Sequence, residues 1–195
     1  MMELNLCNAS FLIAQRTTFS IMRKLVAGFA ASVDGYIDGP DGGHDWIIVD
    51  EKIDFAAEMK RFDTFFFGRR SYEAAKALFS EPVQGITNYV FSNTLTAADT
   101  NFVLVSGDIE PKIKLLKAGP GKDIALYGGA GLLAFLLNRQ LVDELSISFL
   151  PVLLGSGKPM VDLLQQKVWL RFNNSRRYEN GTLVVNYSVR YNQEP

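Results

Sequence analysis

The chain of 195 residues has almost none of two residue types that carry much of protein chemistry: its only cysteine is Cys7 and its only histidine is His44. One cysteine excludes an intrachain disulfide, and one of each excludes a metal cluster built from Cys and His. No tight Asp/Glu ligand spacing takes their place, so no metal is expected. An excess of charge is missing too: 20 Lys and Arg stand against 21 Asp and Glu, a formal net charge of −1. Nucleic acid and anionic membrane surfaces ask for a basic excess, and neither is expected as a partner. No apolar run reaches the roughly 18–20 residues that span a bilayer. The expectation is a cytoplasmic protein that acts on a small molecule.

Hydrophobic residues make up 48% of the sequence, enough for one well-packed domain of ordinary size. Strand-like periodicity begins at Met22, and the domain is expected over residues 22–193. Residues 1–21 read as an N-terminal extension, a flexible arm or an upstream start. The run Phe11-Leu-Ile-Ala14 is too short for a signal peptide, and no basic residue precedes it. Cys7 lies in this extension and is expected to be idle.

Two junctions of one design stand out. Ile124-Ala-Leu-Tyr127 reads as a buried strand that turns at Gly128-Gly129 into the apolar helix that follows. Thr64-Phe-Phe-Phe67 is a second strand, broken by Gly68 into a helix that opens with Arg69, Arg70 and Ser71. Glycine lets the backbone approach a ligand closely, and a helix N-terminus faces it with free N–H groups and positive dipole. Two such junctions, one dibasic, suit a dinucleotide with several phosphates.

Between and around them, 25–32 reads as a buried strand and 33–43, with four glycines and a proline, as a long loop. Residues 50–62 pattern as an amphipathic helix with Ile53, Phe55 or Ala56, Met59 and Phe62 inward. A helix is expected over 69–79, strands over 88–91 and 102–105, and a helix from Pro111 to Gly119. Residues 144–150 alternate as a strand, and Val168–Asn173 pairs with 182–191 across Asn180-Gly181, a hairpin signal. The fold expected is α/β: three layers, α/β/α, around a mixed, mostly parallel sheet that ends in an antiparallel hairpin.

A Rossmann fingerprint places its glycines after the first strand and an acidic ribose ligand about 20 residues on. Here the glycines come late, and that distance beyond Gly131 falls in Phe149-Leu-Pro151. With the acid missing and two arginines at the other junction, NADPH is favoured over NADH.

The ordered set Val26-Ala-Gly-Phe-Ala-Ala-Ser-Val-Asp-Gly-Tyr-Ile37, Phe67-Gly-Arg-Arg-Ser-Tyr-Glu73, Tyr89-Val-Phe-Ser92 and Leu126-Tyr-Gly-Gly-Ala130 resembles the dihydrofolate reductase fold. With Leu150-Pro-Val-Leu-Leu-Gly-Ser-Gly-Lys-Pro159 added, the chain is closer still to the reductase domain of the bifunctional riboflavin biosynthesis deaminase-reductase. The resemblance covers about 22–191. It implies that Arg69, with Arg70, holds the 2′-phosphate of NADPH, assisted by Ser92 and Asn93. Gly68, Ser71, Gly128, Gly129, Ala130 and Gly131 line the pyrophosphate, and Ala30 and Ala31 border the nicotinamide. The loop 34–43 acts as a lid. Tyr127, at the cofactor's edge, faces the substrate together with Trp46, Phe55 and Ser148. The family's acid on the helix after the lid corresponds to Asp50 or Asp54, where a raised pKa would supply a proton. The bland alternative makes Asp50 the helix cap and puts Asp54 on a solvated face.

One departure bears on substrate. Dihydrofolate reductases carry an arginine just before the strand ending at Ser92, to hold the folate tail, and this chain has Ile86-Thr-Asn88 there. Lys158 is a candidate for a substrate phosphate. His44 is expected to be an exposed lid residue, Phe65-Phe-Phe67 core, and Arg176-Arg177 a solvated pair. The expected activity is hydride transfer from NADPH to a pterin-like or pyrimidine heterocycle, with the riboflavin-pathway reaction as one alternative and a non-catalytic NADPH-binding or sensor protein as another. Homodimers are common in the resembled group, and the 152–154 loop is one place where an interface or the core would use apolar side chains.

Overall fold

The computed structural model describes residues 22–76, 81 and 84–191. The expected extension 1–21 lies outside the described residues. In chain order the elements are β1 (Leu25–Ser32), β2 (Tyr36–Asp38), α1 (Phe55–Met59), β3 (Phe62–Gly68), α2 (Arg69–Ala75), β4 (Thr87–Phe91), β5 (Phe102–Val105), α3 (Glu110–Ala118), β6 (Asp123–Gly128), α4 (Ala130–Asn138), β7 (Glu144–Leu150), β8 (Lys158–Pro159), β9 (Trp169–Arg177) and β10 (Leu183–Arg190).

Eight strands form one sheet in the order β5-β4-β3-β6-β1-β7-β10-β9. Every pair from β5 to β7 is parallel, and β10 runs antiparallel to both β7 and β9. The mixed sheet with its antiparallel C-terminal hairpin is the one the sequence implied. Its parallel strands are apolar on both faces because both faces are covered. Phe66 packs with Phe91, Leu126 and the buried leucines of α4 on one side. Phe65 and Phe67 join Tyr72 of α2, Val90 and Phe102 on the other. The Phe65-Phe-Phe67 run is therefore core twice over, alternating between two clusters as period-2 geometry requires.

At the amino ends of these strands the charges are paired. Buried Arg23 meets Asp63 and Thr64, and Lys117 reaches the Leu141 carbonyl at 2.6 Å and Asp143 at 2.5 Å. That end is locked, which leaves the carboxyl ends of β1, β3, β4 and β6 as the place for loops and ligands.

One expectation needs correction. The helix expected over 50–62 is one turn, α1, with no buried residue, and Phe62 belongs to β3. Phe55 and Met59, four residues apart, are both exposed, and Ile53 is half-buried ahead of the helix. Residues 77–79 of the helix expected after Gly68 lie outside the described residues, and α2 is capped at Lys76. The long glycine-rich loop is pinned at its base: β2 pairs with β8, and the backbone N–H groups of Leu154 and Gly155 donate to Asp34 at 3.1 and 2.7 Å. The Ser32 hydroxyl, followed by these N–H donors, holds the Asp34 carboxyl below its usual range.

Candidate functional site

The two strand–glycine–helix junctions meet. Strands β3 and β6 are hydrogen-bonded neighbours, with Phe67 opposite Gly128. The Cβ position of Gly68 lies 3.6 Å from the Gly129 nitrogen, so the two turns touch backbone to backbone. Gly68 and Gly129 are the N-caps of α2 and α4. Gly128 has φ +146°, and a Cβ there would stand 2.9 Å from the Ser71 hydroxyl. Only glycine meets both the dihedral and the space. Beyond the turn, Gly131 is exposed and has no atom within 4 Å of its Cβ position.

Beside this contact a cleft of about 350 Å³ opens between the ends of β4 and β5 and the first turn of α4. Gly68, Arg69, Ser92, Asn93 and Gly131 line it, as expected for one binding site. Phe91, Gly107, Asp108, Ile109, Leu132 and Phe135 also line it, and the sequence reading missed these. Gly107-Asp-Ile109 follows a strand end as Ser92-Asn93 does, and that repetition was the signal available. The polar groups of the wall are preset. Arg69 donates to the Thr94 hydroxyl at 3.0 Å and pairs with Glu73 at 3.2 Å. Ser92 Oγ accepts the Thr94 and Leu95 N–H groups, and Asn93 Oδ1 accepts that of Gly107 at 2.7 Å. Arg70 is exposed on α2 and is not among the residues lining the cleft.

Tyr127, the last side chain before the double glycine, lies over Phe67 with ring centroids 4.9 Å apart. Burial pushes its phenol above the usual range, so it stays protonated at neutral pH. The same sheet face continues through Ala30 of β1, paired with Ser148 of β7, which in turn pairs with Val184 of β10. Gly28, two residues before Ala30, is exposed with nothing within 4 Å of its Cβ position. With Ser146 opposite it, Gly28 forms a shallow shelf that the sequence reading did not single out. Ala31 points the other way, into the core. Ala130 is buried at the start of α4.

The remaining assignments fall elsewhere. Trp46 is half-buried and turns its indole N–H onto the Gly43 carbonyl at 3.2 Å. Phe55 is exposed on α1 and belongs to neither core cluster. His44 is exposed and sits 3.0 Å from Asp38. Of the two acid candidates, Asp54 is the N-cap of α1, accepting from the Ala57 N–H at 2.9 Å. Asp50 is only 9% exposed, yet the Lys52 and Asn180 N–H groups donate to it and hold its pKa below, not above, the usual value. An acid stabilised as its anion is a poor proton donor at neutral pH. The cap is thus Asp54 rather than Asp50, and Asp50 instead ties its segment to the β9–β10 turn.

An open α/β sheet with a cleft at the carboxyl ends of its strands defines the class. The chain belongs to the RibD C-terminal domain family, whose model matches residues 23–184. It is 33% identical over 178 residues to the uncharacterised protein YyaP of Bacillus subtilis (strain 168), covering 85% of this chain and 94% of that one. Among solved structures it is similar to a protein from Shewanella sp. PV-4, described provisionally as a riboflavin biosynthesis protein. The TM-score is 0.76 at 24% identity, over 86% of this chain and 99% of that one. It is also similar to the dihydrofolate reductase of Enterococcus faecalis, solved in complex with NADP(H). There the TM-score is 0.60 at 15% identity, over 85% and 94% of the two chains.

Two outcomes follow from this geometry. Gly128→Ala is expected to cost about 1–3 kcal/mol of stability, from the strained dihedral and the clash with Ser71. Adding Ser71→Ala should relieve the clash but not the strain, a coupling of at least ~0.5 kcal/mol in a urea-denaturation double-mutant cycle. For Asp50 the folded pKa lies below the unfolded one, so its contribution to stability is present above the ordinary carboxylate range and lost as pH falls through the folded pKa. Asp50→Asn should therefore be less stable than wild type at pH 7, with the gap closing toward about pH 3. A gap that stays constant with pH would contradict it.

Proposed function

We propose that the chain is an NADPH-dependent reductase that delivers a hydride to a small planar heterocycle, a pyrimidine rather than a folate. One observation carries the reading: the convergence of the Gly68 and Gly128-Gly129 turns beside a cleft walled by Arg69, Ser92 and Asn93. The family and the likeness to a dihydrofolate reductase solved with NADP(H) support it.

The residues present fit such a cofactor. Gly68, Gly129 and Gly131 leave the space that side chains would fill, and the free N–H groups at the start of α4 suit a pyrophosphate. Arg69, already aimed by Thr94 and Glu73, suits the 2′-phosphate that distinguishes NADPH from NADH. The bound nicotinamide supplies the hydride. The chain's part is to position and to exclude water. Ala30 and Ser148 offer a flat floor, and the protonated Tyr127 phenol, at the strand end beside the turn, can donate a hydrogen bond to a substrate heteroatom. Ile86-Thr-Asn88 supplies no cation for a folate tail, and family membership points to the aminopyrimidines of riboflavin synthesis. Lys158, half-buried in β8 at the base of the glycine-rich loop, is our candidate for a substrate phosphate. We place the activity in the cytoplasm, where NADPH is maintained.

A second reading, a nucleotide-binding protein without turnover, draws on the depressed pKa of Asp50, which leaves no acid of the expected kind. Titration of NADPH and NADH at fixed salt separates the possibilities. Wild type should prefer NADPH, and Arg69→Ala should weaken NADPH by roughly 10- to 100-fold while leaving NADH nearly unchanged, the size of a lost charge-assisted hydrogen-bond pair. Equal affinity for both nucleotides in wild type would remove the 2′-phosphate role. Preferential binding with no oxidation of NADPH by any pterin or ribosylaminopyrimidine would favour the second reading.

A further inference from the structure

We infer that the Thr94 hydroxyl is a further contact to the 2′-phosphate of NADPH, and that Ser92 acts through it. That role rests on the NADPH reading above. Ser92 Oγ accepts two backbone N–H groups, from Thr94 at 3.2 Å and from Leu95 at 3.1 Å. A hydroxyl oxygen has two lone pairs, and both are then spent. The contact of 3.3 Å between Ser92 Oγ and Thr94 Oγ1 can therefore run only one way, with Ser92 donating. Thr94 Oγ1 also accepts from Arg69 Nη1 at 3.0 Å. Its two lone pairs are spent in turn, and its own O–H is left over as a donor with no acceptor among the described residues.

Arg69 is only partly spent. Glu73 takes Nε at 3.2 Å and Thr94 takes an N–H of Nη1, while the N–H groups of Nη2 have no partner among the described residues. Arg69 and Thr94 are both exposed, so these donors are open to a ligand. Thr94 does not itself line the cleft, yet it joins two residues that do, Arg69 and Ser92. A carboxylate offers two oxygens, which an arginine fork satisfies alone. A phosphomonoester offers three strong acceptor oxygens and so has use for a donor besides the fork. The leftover Thr94 hydroxyl, bonded to the guanidinium but not part of it, is that donor. It acts only where NADPH and NADH differ, which makes Thr94 a specificity-determining residue and Ser92, whose proton fixes the Thr94 hydroxyl, a positioning residue.

The test titrates NADPH and NADH into the full chain at fixed salt, with circular dichroism to show that each variant is folded. Thr94→Val keeps the shape of the side chain and removes the hydroxyl. It should weaken NADPH about 10-fold while leaving NADH within about 2-fold of wild type. Thr94→Ser, which restores the hydroxyl, should hold NADPH within about 3-fold of wild type. Adenosine 2′,5′-bisphosphate should follow NADPH across these proteins, and adenosine 5′-monophosphate should follow NADH. Adding Ser92→Ala to Thr94→Val should weaken NADPH by no more than about 2-fold further, since the two residues act in series. A wild type without preference for NADPH would overturn the inference together with the NADPH reading. A wild type that prefers NADPH overturns the Thr94 role alone if Thr94→Val keeps that preference, if it weakens both nucleotides alike, or if Thr94→Ser fails to restore it. A second full loss on adding Ser92→Ala would give Ser92 its own contact and overturn the series.

Discussion

The site depends on one steric constraint, the contact of two polypeptide turns at Gly68 and Gly128-Gly129 beneath the Ser71 hydroxyl. The steric demand falls on Gly128, where a Cβ would stand 2.9 Å from the Ser71 hydroxyl and where the positive φ adds a dihedral that other residues resist. Because β3 and β6 are adjacent and parallel, both turns leave the sheet in the same direction and deliver the N-termini of α2 and α4 to one rim. The cleft beside them is a consequence of strand order.

The two ends of the sheet divide the work. At the amino ends, buried cations are paired with carboxylates and carbonyls, and Arg61 bridges Asp123 and Glu144 across β6 and β7, each at 2.7 Å. Among the described residues there, Arg23, Asp63 and Thr64, which line a second cleft of about 320 Å³, hydrogen-bond to one another. At the carboxyl ends the apolar mass of α4, with Leu133, Leu136 and Leu137 buried, anchors the glycine turn that precedes it.

The fold was legible because its signals are local and periodic. The phenylalanine run, the glycines at strand ends and the Asn-Gly hairpin each act within a few residues. The site was half legible. Gly68, Arg69, Ser92, Asn93 and Gly131 were readable from type and position, but Ile109, Leu132 and Phe135 enter the same cleft only through strand order. The helix at 50–62 misled because amphipathic spacing states which side chains want cover, not whether this sheet supplies it. Asp50 misled for a related reason. Its position suggested a strained acid, while its ionisation is set by N–H donors from Lys52 and from Asn180, a residue 130 positions away.

The most direct measurement is a titration of isotope-labelled protein with NADPH, followed through the glycine amide resonances, which fall in a distinct region of the spectrum. Shifts are expected at Gly68, Gly107, Gly128, Gly129 and Gly131 along one saturation curve, with Gly85 and Gly119, at the other end of the strands, unmoved. Shifts at only one of the two turns, or a response centred on Gly85, would contradict the claim that the two turns make a single nucleotide site.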